Sequence, residues 1–166
     1  MEKKYEKALS FCLPAFFVRP LFFYPMSLDA NEVKGLSDGQ KIYVPAYSHI
    51  YSGDREIPFL LAVTLSIRNI DPKGSIHITL VDYYDTQGKL LKKYLENPVS
   101  LDPLGSIRYV IAERDKAGGS GANFMVEWKS EKKVNPPIVE CIMIGTQSQQ
   151  GVSFTSRGRV LMTSDQ

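Results

Sequence analysis

The chain has 166 residues, 43% of them hydrophobic and 11% aromatic. That is one domain's worth of chain, long enough to fold without disulfide or metal and too apolar for a disordered protein. Twenty Lys and Arg against 18 Asp and Glu leave a net charge of +2, which excludes a strongly basic nucleic-acid binder, and two histidines with two cysteines leave little material for structural zinc.

Met1 to Ala30 reads as an export signal. Lys3, Lys4 and Lys7 make a basic start, partly offset by Glu2 and Glu6. Ala8 to Val18 then forms an apolar run within the roughly 7–15 residues of a signal-peptide core, although Pro14 sits inside it. The run falls short of the roughly 20 apolar residues that span a bilayer. Ser27 to Ala30 supplies small residues where a peptidase can cut. Arg19 and Pro20 separate the run from a second apolar stretch, Leu21 to Met26, so two alternatives stay open: an uncleaved membrane anchor over residues 8–28, or a cytosolic chain with an unusual tail. Leu9 to Cys12 has lipoprotein spacing, but bulky Phe11 stands where a small residue is needed. After cleavage Cys141 is the remaining thiol, which excludes an intrachain disulfide and predicts a buried, inert cysteine. Residues 31–40 read as a spacer and residues 41–163 as a single domain.

The domain alternates short apolar runs with turn signals. Lys41 to Tyr47 carries Pro45, which predicts an edge strand. Phe59 to Asn69 places Leu61, Val63, Leu65 and Ile67 on one face and Ala62, Thr64, Ser66 and Arg68 on the other, the period of a half-buried strand. Asp71 to Gly74 (DPKG) is a turn by composition. Ser75 to Tyr84 repeats the alternation, with Ile76, Ile78 and Leu80 inward and His77 and Thr79 outward. Asp85 to Gly88 turns the chain again, before a strand over Lys89 to Leu95. Ser106 to Glu113 puts Ile107, Tyr109 and Ile111 on one face. A Gly118 to Gly121 loop, expected to be a flexible connection, precedes Phe124, Val126 and Trp128 at every second position, with Trp128 the natural core anchor. Ile138 to Thr146 is nearly continuous in apolar character and predicts burial on both faces. No window beyond the leader shows helical periodicity, so the fold class is all-β: an antiparallel immunoglobulin-like β-sandwich of about seven to nine strands.

Five segments, in order, resemble a bacterial family known as domain of unknown function 3124. They are Val44 to Tyr51 (VPAYSHIY), Leu65 to Asn69 (LSIRN), Val81 to Asp85 (VDYYD), Gly118 to Trp128 (GGSGANFMVEW) and Ser148 to Arg159 (SQQGVSFTSRGR). The resemblance spans about Tyr43 to Val160 and implies a small exported or envelope-associated protein. It carries no catalytic or binding residue across to this chain. A looser similarity links the strand order to other secreted immunoglobulin-like modules.

Polar residues cluster in two places. Gln147 to Arg159 (QSQQGVSFTSRGR) holds four serines or threonines, three glutamines and two arginines in thirteen residues. Arg157 and Arg159 lie two apart, so on an extended chain they point the same way and two guanidinium forks can hold a carboxylate, phosphate or sulfate. The bland alternative is a polar edge strand whose arginines meet surface acids. Tyr47 to Arg55 (YSHIYSGDR) combines aromatic faces, an imidazole and charge, a composition that suits peptide or sugar recognition and equally a loop packed on the sandwich. The candidate ligand or partner residues are therefore His49, Tyr51, Asp54, Arg55, Gln149, Gln150, Arg157 and Arg159.

Other chemistry is thinly supplied. Asp82 and Asp85 are three apart with no closing glutamate or flanking helix, unlike a calcium loop. The Gly118 loop lacks the lysine and the following helix of a phosphate cradle. There is no Gly-x-Ser-x-Gly elbow, and His49 and His77 are the whole supply of imidazole bases. No cofactor, metal ligand or catalytic residue is assigned. The expectation is a module that binds a protein or cell-envelope component through one loop end. A small-ligand protein using the arginine pair is the alternative, and a hydrolase is the third reading.

Overall fold

The computed structural model describes residues 35–52, 54, 56–147 and 150–163. Twelve strands run through these residues: β1 (Ser37–Pro45), β2 (His49–Ser52), β3 (Ile57–Leu60), β4 (Ala62–Arg68), β5 (Ile76–Tyr84), β6 (Leu90–Lys93), β7 (Val99–Leu101), β8 (Ser106–Ile111), β9 (Asn123–Val134), β10 (Ile138–Gln147), β11 (Gln150–Arg157) and β12 (Arg159–Thr163). One sheet has the order β12-β1-β9-β5-β6, with β7 also paired to β5, and a second has the order β11-β10-β4-β8. β2 and β3 form a separate two-stranded sheet. All the pairings are antiparallel, and the two main sheets make a β-sandwich.

The strand count exceeds the expected seven to nine for local reasons. Phe59 to Asn69 is not one strand, because Phe59 and Leu60 pair with β2 whereas Ala62 onward pairs with β10. Gln150 to Arg159 likewise contributes to two strands, because Gly158 lets the chain leave one sheet for the other, its N–H donating to the Val139 carbonyl at 2.8 Å.

Alternation places the core correctly along most of its length. Leu61, Val63, Leu65 and Ile67 are fully buried, and so are Phe124, Val126 and Trp128 across the sandwich. β5 departs from simple alternation. Its register shifts between Ile78 and Leu80. The extra residue moves Val81 and Tyr83 inward and leaves Leu80 only partly buried, where unbroken period two had put Leu80 inside.

Two further expectations are corrected. β1 is an interior strand, flanked by β12 and β9. Pro45 is tolerated there because it ends the strand, beyond Tyr43, the last β1 residue to pair with β12. The strand also starts at Ser37, within the segment read as a spacer. β10 is buried on one face only: Val139, Cys141 and Met143 point inward, whereas Ile138 and Ile144 are exposed. No third layer covers the β11-β10-β4-β8 sheet among the described residues, so its β-branched outer residues face solvent.

Turns at both ends of β5 are fixed by carboxamide and carboxylate groups. Asn69 Nδ2 donates to the carbonyls of Gly74, Leu101 and Asp102. Asp71 Oδ1 accepts the N–H groups of Lys73 and Gly74 at 2.9 and 2.7 Å. Asp85 does the same for Gln87 and Lys89, which makes it the organiser of the β5–β6 turn.

Candidate functional site

The β2–β3 hairpin leaves the sandwich where β1 ends. Ala46 donates its N–H to the Ala122 carbonyl at 2.9 Å and Ser48 donates to Gly119 at 3.0 Å. The Leu61 N–H closes the hairpin base on the Ser48 carbonyl at 2.9 Å. Ser48 is fully buried, and its hydroxyl lies 3.0 Å from the Tyr83 hydroxyl. Burial, more than the compensating Ser48 hydrogen bond, raises the Tyr83 pKa above its ordinary value.

The glycine loop after β8 is therefore a built part of this anchor and not a flexible connection. Thr86 takes hold of it twice, its hydroxyl donating to the Gly118 carbonyl and accepting from the Gly121 N–H, both at 3.0 Å. Gly118 is required by close approach, because a Cβ there would collide with the Tyr83 hydroxyl oxygen.

Register divides the hairpin into two faces. Ile50 lies opposite Phe59, and both pack against the core. Tyr51 lies opposite Pro58 on the other face, with His49 opposite Leu60. Tyr51 is 54% exposed, Pro58 is exposed, and Ile57 nearer the tip is 56% exposed. The His49 and Tyr51 rings meet edge to face, 5.3 Å between centroids, with Nε2 3.5 Å from the phenol oxygen. Pro58 is compatible with a two-stranded hairpin because each strand keeps a free edge. The result is an exposed aromatic and proline surface on a firmly seated stem.

β10 and β11 support the hairpin from the side. A Cβ on Gly145 would collide with the Leu60 carbonyl oxygen and lie 2.6 Å from the Phe59 ring, so only glycine lets the hairpin rest here. Tyr47 contacts Phe154 edge to face at 5.7 Å. The hairpin thus sits beside β10 and β11, toward the end where Gln147 pairs with Gln150.

The candidate residues fall into two groups. His49, Tyr51 and exposed Asp54 belong to the hairpin, and Gln150 opens β11, its backbone paired with Gln147. Arg55 and Gln149 lie outside the described residues. Arg157 and Arg159 stand at the other end of β11, roughly 23 Å away at the rise of an extended chain. Both are exposed, but they serve different sheets: Arg157 lies opposite Glu140 and Arg159 opposite Tyr43. His77, the second residue of β5, lies between Ser100 and Lys129. Pro58 and Ile57 escaped the sequence reading. Two short apolar runs separated by a glycine-containing loop were the available signal for this hairpin.

A cavity of about 310 Å³ lies elsewhere, lined in part by Gly39, Lys41, Glu127, Lys129 and Met162, with Lys129 and Glu127 paired at 3.7 Å. None of the candidate residues lines it. Among the described residues no three of His, Cys, Asp and Glu converge in a way that could hold a metal ion. No helix among them is long and apolar enough to cross a membrane. Cys141 is a buried free thiol, its pKa pushed up to about 12 by burial.

These features define an antiparallel β-sandwich carrying one projecting hairpin. The chain belongs to the family described as Protein of unknown function (DUF3124), which matches residues 39–161, in agreement with the five motif segments. Among solved structures it is similar to one titled "Crystal Structure of Thermotoga maritima 1070", at 12% identity and a TM-score of 0.46, covering 75% of this chain and 97% of that one. No curated protein matches the chain.

Proposed function

We propose that this domain is a recognition module that binds a protein or cell-envelope component through the outer face of the β2–β3 hairpin. The observation that carries the reading is the exposed Tyr51, opposite Pro58 and braced by His49, on a stem fixed by Ser48 and Tyr83. A rigid aromatic with two rotatable side-chain bonds offers contact area at low entropic cost. Prior seating of the stem lowers the ordering cost of binding further. The leader belongs to the same reading, as an export signal that delivers the domain to the periplasm or cell envelope.

Site-directed photocrosslinking in intact cells tests it. A photoreactive phenylalanine analogue at Tyr51 is expected to give a discrete adduct that disappears when Pro58, which lies opposite it on the same face, is changed to a charged residue such as Glu. The same analogue at Leu104, which is 71% exposed and far from the hairpin, is the control. Identical adducts from both positions, or none from Tyr51, contradict the proposal.

A further inference from the structure

Sheet edges expose unpaired N–H and C=O groups, and natural proteins blunt them with short strands, charges, proline or bulges. Four outer strands of the sandwich carry such devices. β12 has a register break against β1 between Lys41 and Ile42. β6 has four residues, including Lys92 and Lys93, and β7 has three. β8 carries exposed Arg108 near its centre. β11 differs. Its register against β10 is unbroken from Gln150 to Arg157, it contains no proline or lysine, and its one charge is the final Arg157. No described strand pairs with its other side.

We infer that the free edge of β11 is a self-association surface, pairing antiparallel with β11 of a second copy about a twofold axis at Phe154. An isologous contact requires the same strand on both sides to be self-complementary. The register centred on Phe154 meets that condition. Phe154 faces Phe154 of the second copy, Ser153 faces Thr155, Val152 faces Ser156, and Gly151 faces Arg157. Aromatic pairs and Ser–Thr pairs are among the favourable cross-strand combinations. Each arginine meets a glycine, and the two guanidinium groups stay roughly 20 Å apart along the ladder. A parallel arrangement would instead set Arg157 beside Arg157. Ser153 and Thr155 are exposed in the single chain, so both are free to meet a partner strand.

Sedimentation of the full chain over rising concentration tests this, using wild type, S153K/T155K and S153K/T155E. The wild type is expected to dimerise reversibly. S153K/T155K places lysines opposite each other at two symmetry-related positions and should weaken the dimer by about tenfold or more. S153K/T155E instead sets the introduced lysine of each copy against the introduced glutamate of the other and should restore association. Unchanged thermal unfolding of both variants confirms that they fold. A wild type that stays monomeric throughout overturns the inference. So does a dimer indifferent to S153K/T155K, which uses another surface, and so does a loss that S153K/T155E fails to repair.

Discussion

The hydroxyls of Ser48 and Tyr83 lie 3.0 Å apart inside the sandwich, joining the stem of the projecting hairpin to the end of β5. Gly118 lies against this pair with no room for a side chain. Ser48→Ala or Tyr83→Phe strands the other buried hydroxyl and should cost about 1–3 kcal/mol. The double variant should cost less than the sum, since both changes remove one interaction. Gly118→Ala should cost about 1–3 kcal/mol through overpacking, and less in a Tyr83→Phe background where the obstructing oxygen is gone. Urea unfolding measures all of these, and strict additivity would show that the three residues do not act together.

Asp71 supplies a pH dependence at the opposite end. Its carboxylate accepts the backbone N–H of Asn135 at 2.9 Å and its side-chain amide at 3.0 Å. The Asn135 backbone N–H, followed by those of Gly74 and Lys73, holds its pKa down to about 2 from an ordinary 3.8. A folded pKa below the unfolded one means the stabilisation is complete above about pH 3.8 and disappears as pH falls toward 2. Asp71→Asn should therefore lower Tm at neutral pH and flatten its decline over that window. Parallel Tm–pH curves for the two proteins would show that Asp71 is not the titrating group.

Cys141 should be chemically silent in the folded protein, because burial pushes its pKa up to about 12 and covers the sulfur. In a Cys12→Ser background an alkylating reagent at about pH 8 should label the chain only after denaturant is added. Rapid labelling without denaturant would contradict the core placement.

Loss of both arginines should leave the fold intact. Arg157 and Arg159 are exposed, and solvent-facing changes of this kind usually stay within about 0.5 kcal/mol. Urea unfolding of Arg157→Ala/Arg159→Ala is the check. A large loss of stability would show that the sheet-crossing corner depends on their side chains.

Period-two patterning made most of the core legible, from Leu61 to Ile67 and from Phe124 to Trp128. It failed after Ile78, because one inserted residue reverses every later side chain without changing composition. It also misread Ile138 to Thr146, where β-branched residues face solvent on an uncovered sheet. The aromatic character of the hairpin was visible as Tyr47 to Tyr51. Its anchoring was not, because Ser48, Tyr83 and Gly118 are far apart along the chain and meet only once the sheets assemble. Arg157 and Arg159 looked like one site because two residues separated by one share a side of an extended strand. The strand does extend, but it changes sheets between them.

Binding of the purified full chain to isolated bacterial cell envelopes, measured by cosedimentation, most directly tests recognition through the hairpin. Tyr51→Ser should weaken binding by about 30-fold, the loss expected for a central aromatic contact, while Arg157→Ala/Arg159→Ala binds like wild type. Binding that survives Tyr51→Ser and is lost with the two arginines would contradict the hairpin account and place recognition at the sheet-crossing corner.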